Sequence, residues 1–124
     1  MPFDCLDQDV ALLLFQRFGK ACEALFDFMS LEYPKCLSRI IRDGNLDFTD
    51  LTFAAESMGN SSDSQLVRRT LTILLFHPKA VVREGAIYGL QNHLDEKTRE
   101  SLAEALQVES NEYVRRCLHE ALAG

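Results

Sequence analysis

Tryptophan is absent from these 124 residues, proline occurs three times, glycine six times, and the four cysteines form no Cys-x-x-Cys pair. Each shortage excludes a class of protein. Cysteines scattered at positions 5, 22, 36 and 117 offer neither a zinc ribbon nor a redox motif, and they read as reduced, core-filling thiols of a cytosolic protein. His77, His93 and His119 show no H-x-x-x-H or H-E-x-x-H spacing, so a metal site has no local support. Phosphate-cradling glycine loops are missing. The apolar run from Val10 to Phe15 follows Asp4, Asp7 and Asp9 and is too short to span a bilayer or to serve as a signal peptide, so no membrane or export segment is expected.

Positive charge is also scarce. Thirteen Lys and Arg face 19 Asp and Glu, giving a net charge of -6 and a pI near 5.0. Nucleic acids and anionic membranes are bound through a basic footprint, so both are disfavoured as partners, and a basic protein fits better. The balance shifts along the chain: residues 61–93 carry Arg68, Arg69, Lys79 and Arg83 against Asp63 and Glu84, between acidic ends. Catalytic groupings are thin as well. Adjacent carboxylates occur only at Asp95-Glu96, which reads as a helix start, and Cys117 and His119 point to different faces of one helix. No enzyme activity, cofactor or metal is expected.

What the sequence does contain is a repeat. Val81-Val82-Arg83-Glu84-Gly85-Ala86-Ile87-Tyr88-Gly89-Leu90 returns, at a shift of 32, as Tyr113-Val114-Arg115-Arg116-Cys117-Leu118-His119-Glu120-Ala121-Leu122. The same shift places Ala54 and Met58 over Ala86 and Leu90, and those over Leu118 and Leu122. A shift of 31 superposes Leu71 and Leu75 on Leu102 and Leu106. Self-similarity at such a period marks stacked units, each burying its apolar face against the next. The unit is a helix pair.

Helix boundaries follow from caps and breakers. Apolar residues at Ala11, Leu14, Phe15, Phe18, Cys22, Leu25, Phe26 and Met29 keep helical spacing, with Gly19 marking either a kink or a break. Pro34 opens a second helix that the Asp43-Gly44-Asn45 turn closes. Asp47 or Thr49 caps a helix to Met58; the Ser61-Ser62-Asp63 turn caps one from Ser64 to Phe76; Pro78 opens one to about His93. Asp95 caps another to about Gln107, and Ser110 or Asn111 the last, to Ala123. Phe3, Phe15, Phe18, Phe26 and Phe28 suit the core of an N-terminal helical cap over residues 1–44, with repeats over 45–124 forming one domain with it. The expected fold is all-α, an α-solenoid of helix pairs with that cap.

The stretch from His77 to Ala86, with Val114-Arg115-Arg116 and Arg99 to Leu106, resembles the HEAT-like repeats of the short bacterial type, including those of phycobilisome lyases. The resemblance covers about residues 46–124. It implies a stacked helix-pair fold in which each arginine ties one repeat to the next, but it is a weak guide to function, because such repeats serve scaffolds, inhibitors, immunity proteins, lyases and repair enzymes. Where the family has Asp-Pro before the Val-Arg helix, His77-Pro78 stands here.

Arg68, Arg83, Arg99 and Arg115 occur once per helix, so they form either a ladder for an anion or ties between repeats. Gly85 and Gly89, four apart, read as a close-packing device. Tyr88 lies on a polar stripe with Glu84 and Gln91, where it is either half-buried or an interface anchor. The predicted partner-binding surface comprises Arg68, Arg69, Thr72, Arg83, Tyr88 and Arg99. The leading expectation is a non-enzymatic cytoplasmic protein that binds another protein, as an inhibitor, an immunity protein or an adaptor. The alternative is a ligand-binding or enzymatic member of the same fold, glycosylase-like or bilin-lyase-like. The unpaired last helix would leave Tyr113, Leu118 and Leu122 open to a second copy.

Overall fold

The computed structural model describes residues 22–124, and among them every regular element is helical. Helices α1 (Cys22–Glu32), α2 (Pro34–Arg42), α3 (Phe48–Met58) and α4 (Ser64–Leu71) are followed by a 3₁₀ turn at Ile73–Phe76. Then come α5 (Ala80–Leu90), a second 3₁₀ turn at Gln91–His93, α6 (Glu96–Val108) and α7 (Glu112–Ala123). Gly19 and the phenylalanines at 3, 15 and 18 lie outside the described residues. Of the other two early phenylalanines, Phe26 is fully buried and Phe28 is half exposed.

Short acidic and amide side chains start four of these helices, because the first turn leaves backbone N–H groups without partners. Asp47 accepts from the Asp50 N–H at 2.8 Å, Asp63 from Leu66 at 3.1 Å, Asp95 from Thr98 at 2.8 Å and Asn111 from Val114 at 3.0 Å. Asp47 and Asn111 are therefore the caps, not Thr49 or Ser110. Two boundaries differ from expectation: α4 ends at Leu71 and tightens to 3₁₀ before Pro78, and α5 begins at Ala80. A proline disfavours helical geometry in the residue before it, so His77 is extended and two residues separate it from α5.

The helices pack in two rows. In the first, α1 lies against α3, α3 against α5 and α5 against α7; in the second, α2 meets α4, and α6 meets the turn at Ile73–Phe76. Between the rows runs one apolar core, which includes Phe26, Leu37, Met58, Leu71, Leu90 and Leu118, each at most 1% exposed. Burial of side chains of this size stabilises by about 1.5–3 kcal/mol each, which is why isolated helices too short to persist in water persist here. The repeat register is visible directly. Ala54 and Met58, Ala86 and Leu90, and Leu118 are buried at matching positions, with Leu122 partly so.

The tightest seam is between α3 and α5. Gly59 and Gly89 meet backbone to backbone, and a Cβ on Gly85 would lie 2.8 Å from the carbonyl oxygen of Thr52. The close-packing expectation for Gly85 and Gly89 thus has a geometric basis. Polar ties join elements distant in sequence. Thr70 donates its hydroxyl proton to the Leu66 carbonyl at 2.7 Å, so Ser38 is the donor in its 2.5 Å contact with Thr70. The Gly59 carbonyl can only accept, so His93 Nε2–H donates to it at 2.9 Å, leaving Nδ1 to accept from Ser64 Oγ at 2.7 Å. One imidazole therefore fastens the ends of α3 and α5 to the start of α4. Among the described residues no helix is long and apolar enough to cross a membrane.

Candidate interaction surface

Each of the four spaced arginines is engaged within the chain. Arg83 grips Glu109 in a two-point contact, Nε to Oε1 at 2.7 Å and Nη2 to Oε2 at 2.9 Å, and its Nη1 donates to the His77 carbonyl at 2.7 Å. The Glu109 carboxylate is 4% exposed. Arg68 pairs with Asp95, the cap of α6. Arg99 donates to the Leu122 carbonyl at 3.0 Å, while Arg115 donates to the carbonyls of Leu106 and Glu109 at 3.0 and 2.9 Å. These are ties between different elements, and those of Arg83, Arg99 and Arg115 satisfy carbonyls that helix ends leave open. The acid that holds Arg83 is Glu109, in the turn that precedes α7.

The electrostatics of this corner follow from its burial. Loss of solvent pushes the Glu109 pKa up, but hydrogen bonds from Arg83 and from the backbone of Asn111, with the Arg83 charge, outweigh it and hold the carboxyl below its ordinary range. His77 Nδ1 accepts from the Lys79 N–H at 3.0 Å. Desolvation first, then the charges of Arg83 and Lys79, lower its pKa below 6.5.

The predicted surface does not assemble as one patch. Arg69 and Thr72 lie on the outward side of the second row, Arg69 exposed and Thr72 half-buried; Arg68, Arg83 and Arg99 are half-buried in the ties just described. Tyr88 stands on the outward side of the first row, 41% exposed. The opposite flank of its helix, Ala86 and Leu90, is buried in the core. Tyr88 and Arg69 therefore face away from each other across the core.

Tyr88 sits beside Glu84, as its stripe implies, and α7 supplies the rest of its setting. Its neighbours are Glu84 on its own helix and Tyr113 and Cys117 on α7. Hydrogen bonding to Glu84, then to Tyr88, raises the Tyr113 phenol well above its usual range. Beside the rings Cys117 is 6% exposed, and desolvation followed by the Glu84 charge pushes its thiol pKa up. On α3 the same side shows Phe53, 37% exposed, and Glu56, whose carboxyl is raised by desolvation and then by Glu84, Glu23 and Asp27. Asp27 of α1 accepts from Ser57 Oγ at 2.6 Å. A line of carboxylates and rings thus crosses all four helices of the first row.

Phe53, Glu56, Tyr113 and Glu120 were missing from the predicted surface, yet for Glu56 and Glu120 a signal exists. The repeat shift of 32 superposes Glu56, Tyr88 and Glu120, and likewise Thr49, Val81 and Tyr113. The repeat aligns the outward stripe as well as the core. Of the three residues expected to be open to a second copy, Leu118 is 1% exposed, because α7 packs on both α5 and α6, while Leu122 is partly buried and Tyr113 half exposed.

Compared with models of known families, with curated proteins and with solved structures, the chain matches none.

Proposed function

We propose that this chain is a small protein-binding module without chemistry of its own, built as a short α-solenoid of HEAT-like helix pairs. It works in the cytoplasm as an inhibitor, immunity protein or adaptor. The solenoid reading is supported by the two rows of helices, the repeating register of their buried positions and the arginine ties between elements. The observation that carries the binding role is the set of rings on one outward face: Phe53, Tyr88 and Tyr113 expose 37%, 41% and 51% of their surface. Aromatic anchors on a rigid scaffold are what protein interfaces concentrate, since two torsions order a large contact area.

Quantitative capture from native lysate, followed by titration of the purified partner, tests this. A saturable partner whose affinity falls when Tyr88 and Tyr113 are replaced by alanine supports the module. Absence of any saturable partner, or a partner insensitive to substitutions on both outward faces, refutes it.

A further inference from the structure

The first row of helices is unusual in its charge. Helices α1 and α3 contain no Lys or Arg at all, and the one cation of α5, Arg83, is turned inward onto Glu109. Their outward side nevertheless carries Glu23, Asp27, Glu56 and Glu84, continued by Glu120 on α7, where Arg116 is the nearby exposed cation. Among the described residues none of these five carboxylates has an ion-pair partner. Between them stand the rings of Phe53, Tyr88 and Tyr113 and the side chain of Val81, 41% exposed.

Unpaired like charges held together destabilise a free protein, and the exposed part of each ring adds nothing to its folding. Burial first, and then the charges of Glu84, Glu23 and Asp27, push the Glu56 carboxyl up. Both features become favourable on one condition, that a partner brings cations and apolar surface together. Carboxylates then pair with ammonium or guanidinium heads, and the rings receive both the apolar flank and cation–π contacts. An anionic or purely apolar partner would bury the carboxylates unpaired.

Resting on the protein-binding reading above, we propose that the outward face of α1, α3, α5 and α7 docks a cationic amphipathic segment of another protein, whose Lys or Arg heads pair with Glu56, Glu84 and Glu120 while its apolar side packs on Phe53, Tyr88 and Tyr113. Helices in contact lie about 8–10 Å apart, so the span from α3 to α7 is roughly 20 Å. At about 1.5 Å per residue that span matches a helical segment of about 13 residues.

The test uses the full chain and a fluorescein-labelled 14-residue lysine–leucine amphipathic helix, with a glutamate–leucine helix of the same pattern as control, read by anisotropy. Circular dichroism checks that each variant is folded. Glu56→Gln with Glu84→Gln is expected to weaken binding about tenfold or more, and Phe53→Ala with Tyr88→Ala comparably. Glu100→Gln with Glu104→Gln, on the exposed side of α6, removes the same charge from the other row and is expected to change affinity less than twofold. Equal weakening by both glutamate pairs, binding of the glutamate–leucine helix, or no saturable binding of the lysine–leucine helix overturns the inference. If the peptide fails while a captured partner binds elsewhere on the chain, this inference falls and the protein-binding reading stands; if neither binds, both fall.

Discussion

Arg83 and Glu109, far apart in sequence, share two parallel hydrogen bonds at the base of α5, with the carboxylate almost closed to solvent. Removing one member leaves the other buried and uncompensated, which costs about 3–5 kcal/mol when burial is complete and less where water reaches the pair. Arg83→Ala is therefore expected to lower stability by about 3 kcal/mol in urea unfolding, and Arg83→Lys to recover only part of it because the ammonium cannot make the two-point contact.

Stability should fall on acidification in two stages. His77 has a depressed pKa, so its neutral form is favoured by folding; that contribution is full above 6.5 and is lost as pH falls through the folded value. Protonation also removes the acceptor that the Lys79 N–H uses. Glu109 is likewise depressed, so its contribution is full above 4.5 and drains at lower pH. Melting temperatures of His77→Gln should lose the upper stage of the decline and keep the lower one.

The α3–α5 seam gives a sharp steric test. A methyl on Gly89 would overlap the Ala55 carbonyl and a Leu71 methyl, so Gly89→Ala is expected to destabilise by about 3 kcal/mol. Gly44, at φ 74° with open space around it, should lose only about 1–2 kcal/mol as alanine, from backbone strain. Equal losses at the two sites would contradict the seam.

Glu56 predicts a gain. Its raised pKa means that ionisation weakens the fold: stability present below 4.5 is lost as pH rises through the folded value. Glu56→Gln should therefore melt higher than the parent chain at pH 7 and level with it at pH 4, while binding the cationic helix less well. Opposite effects on stability and binding are expected of residues kept for contact with a partner.

Asp95 does two jobs and Arg68 one. The carboxylate caps α6 through the Thr98 N–H, the first cause of its lowered pKa, and pairs with Arg68 at a solvent-open site. Asp95→Ala should lower the melting temperature through the lost cap, and Arg68→Ala should lower it less, since exposed pairs contribute little.

Much of the architecture was legible in local chemistry. Asp47, Asp63, Asp95 and Asn111 announce helix starts through bonds made within three residues, and apolar spacing marks the inward faces. The predicted surface was less legible. Arg68, Arg83 and Arg99 are polar in sequence but satisfied in space, each by a group on another element well beyond the reach of local pattern. Phe53 and Tyr113 look like core residues, and only the packing of α3, α5 and α7 side by side turns them outward.

By itself the sequence determined the helical class, the helix limits to within a few residues and the repeat register, because capping, periodicity and steric breaking act over one or two turns. Tertiary structure alone decided which group each arginine ties to, that α5 and α6 would cover Leu118 of α7, and that carboxylates and rings from four helices would share one face. Those outcomes depend on which helix flanks meet: the spacing of Gly85 and Gly89 announces a close approach, but not that Gly59 at the end of α3 meets Gly89.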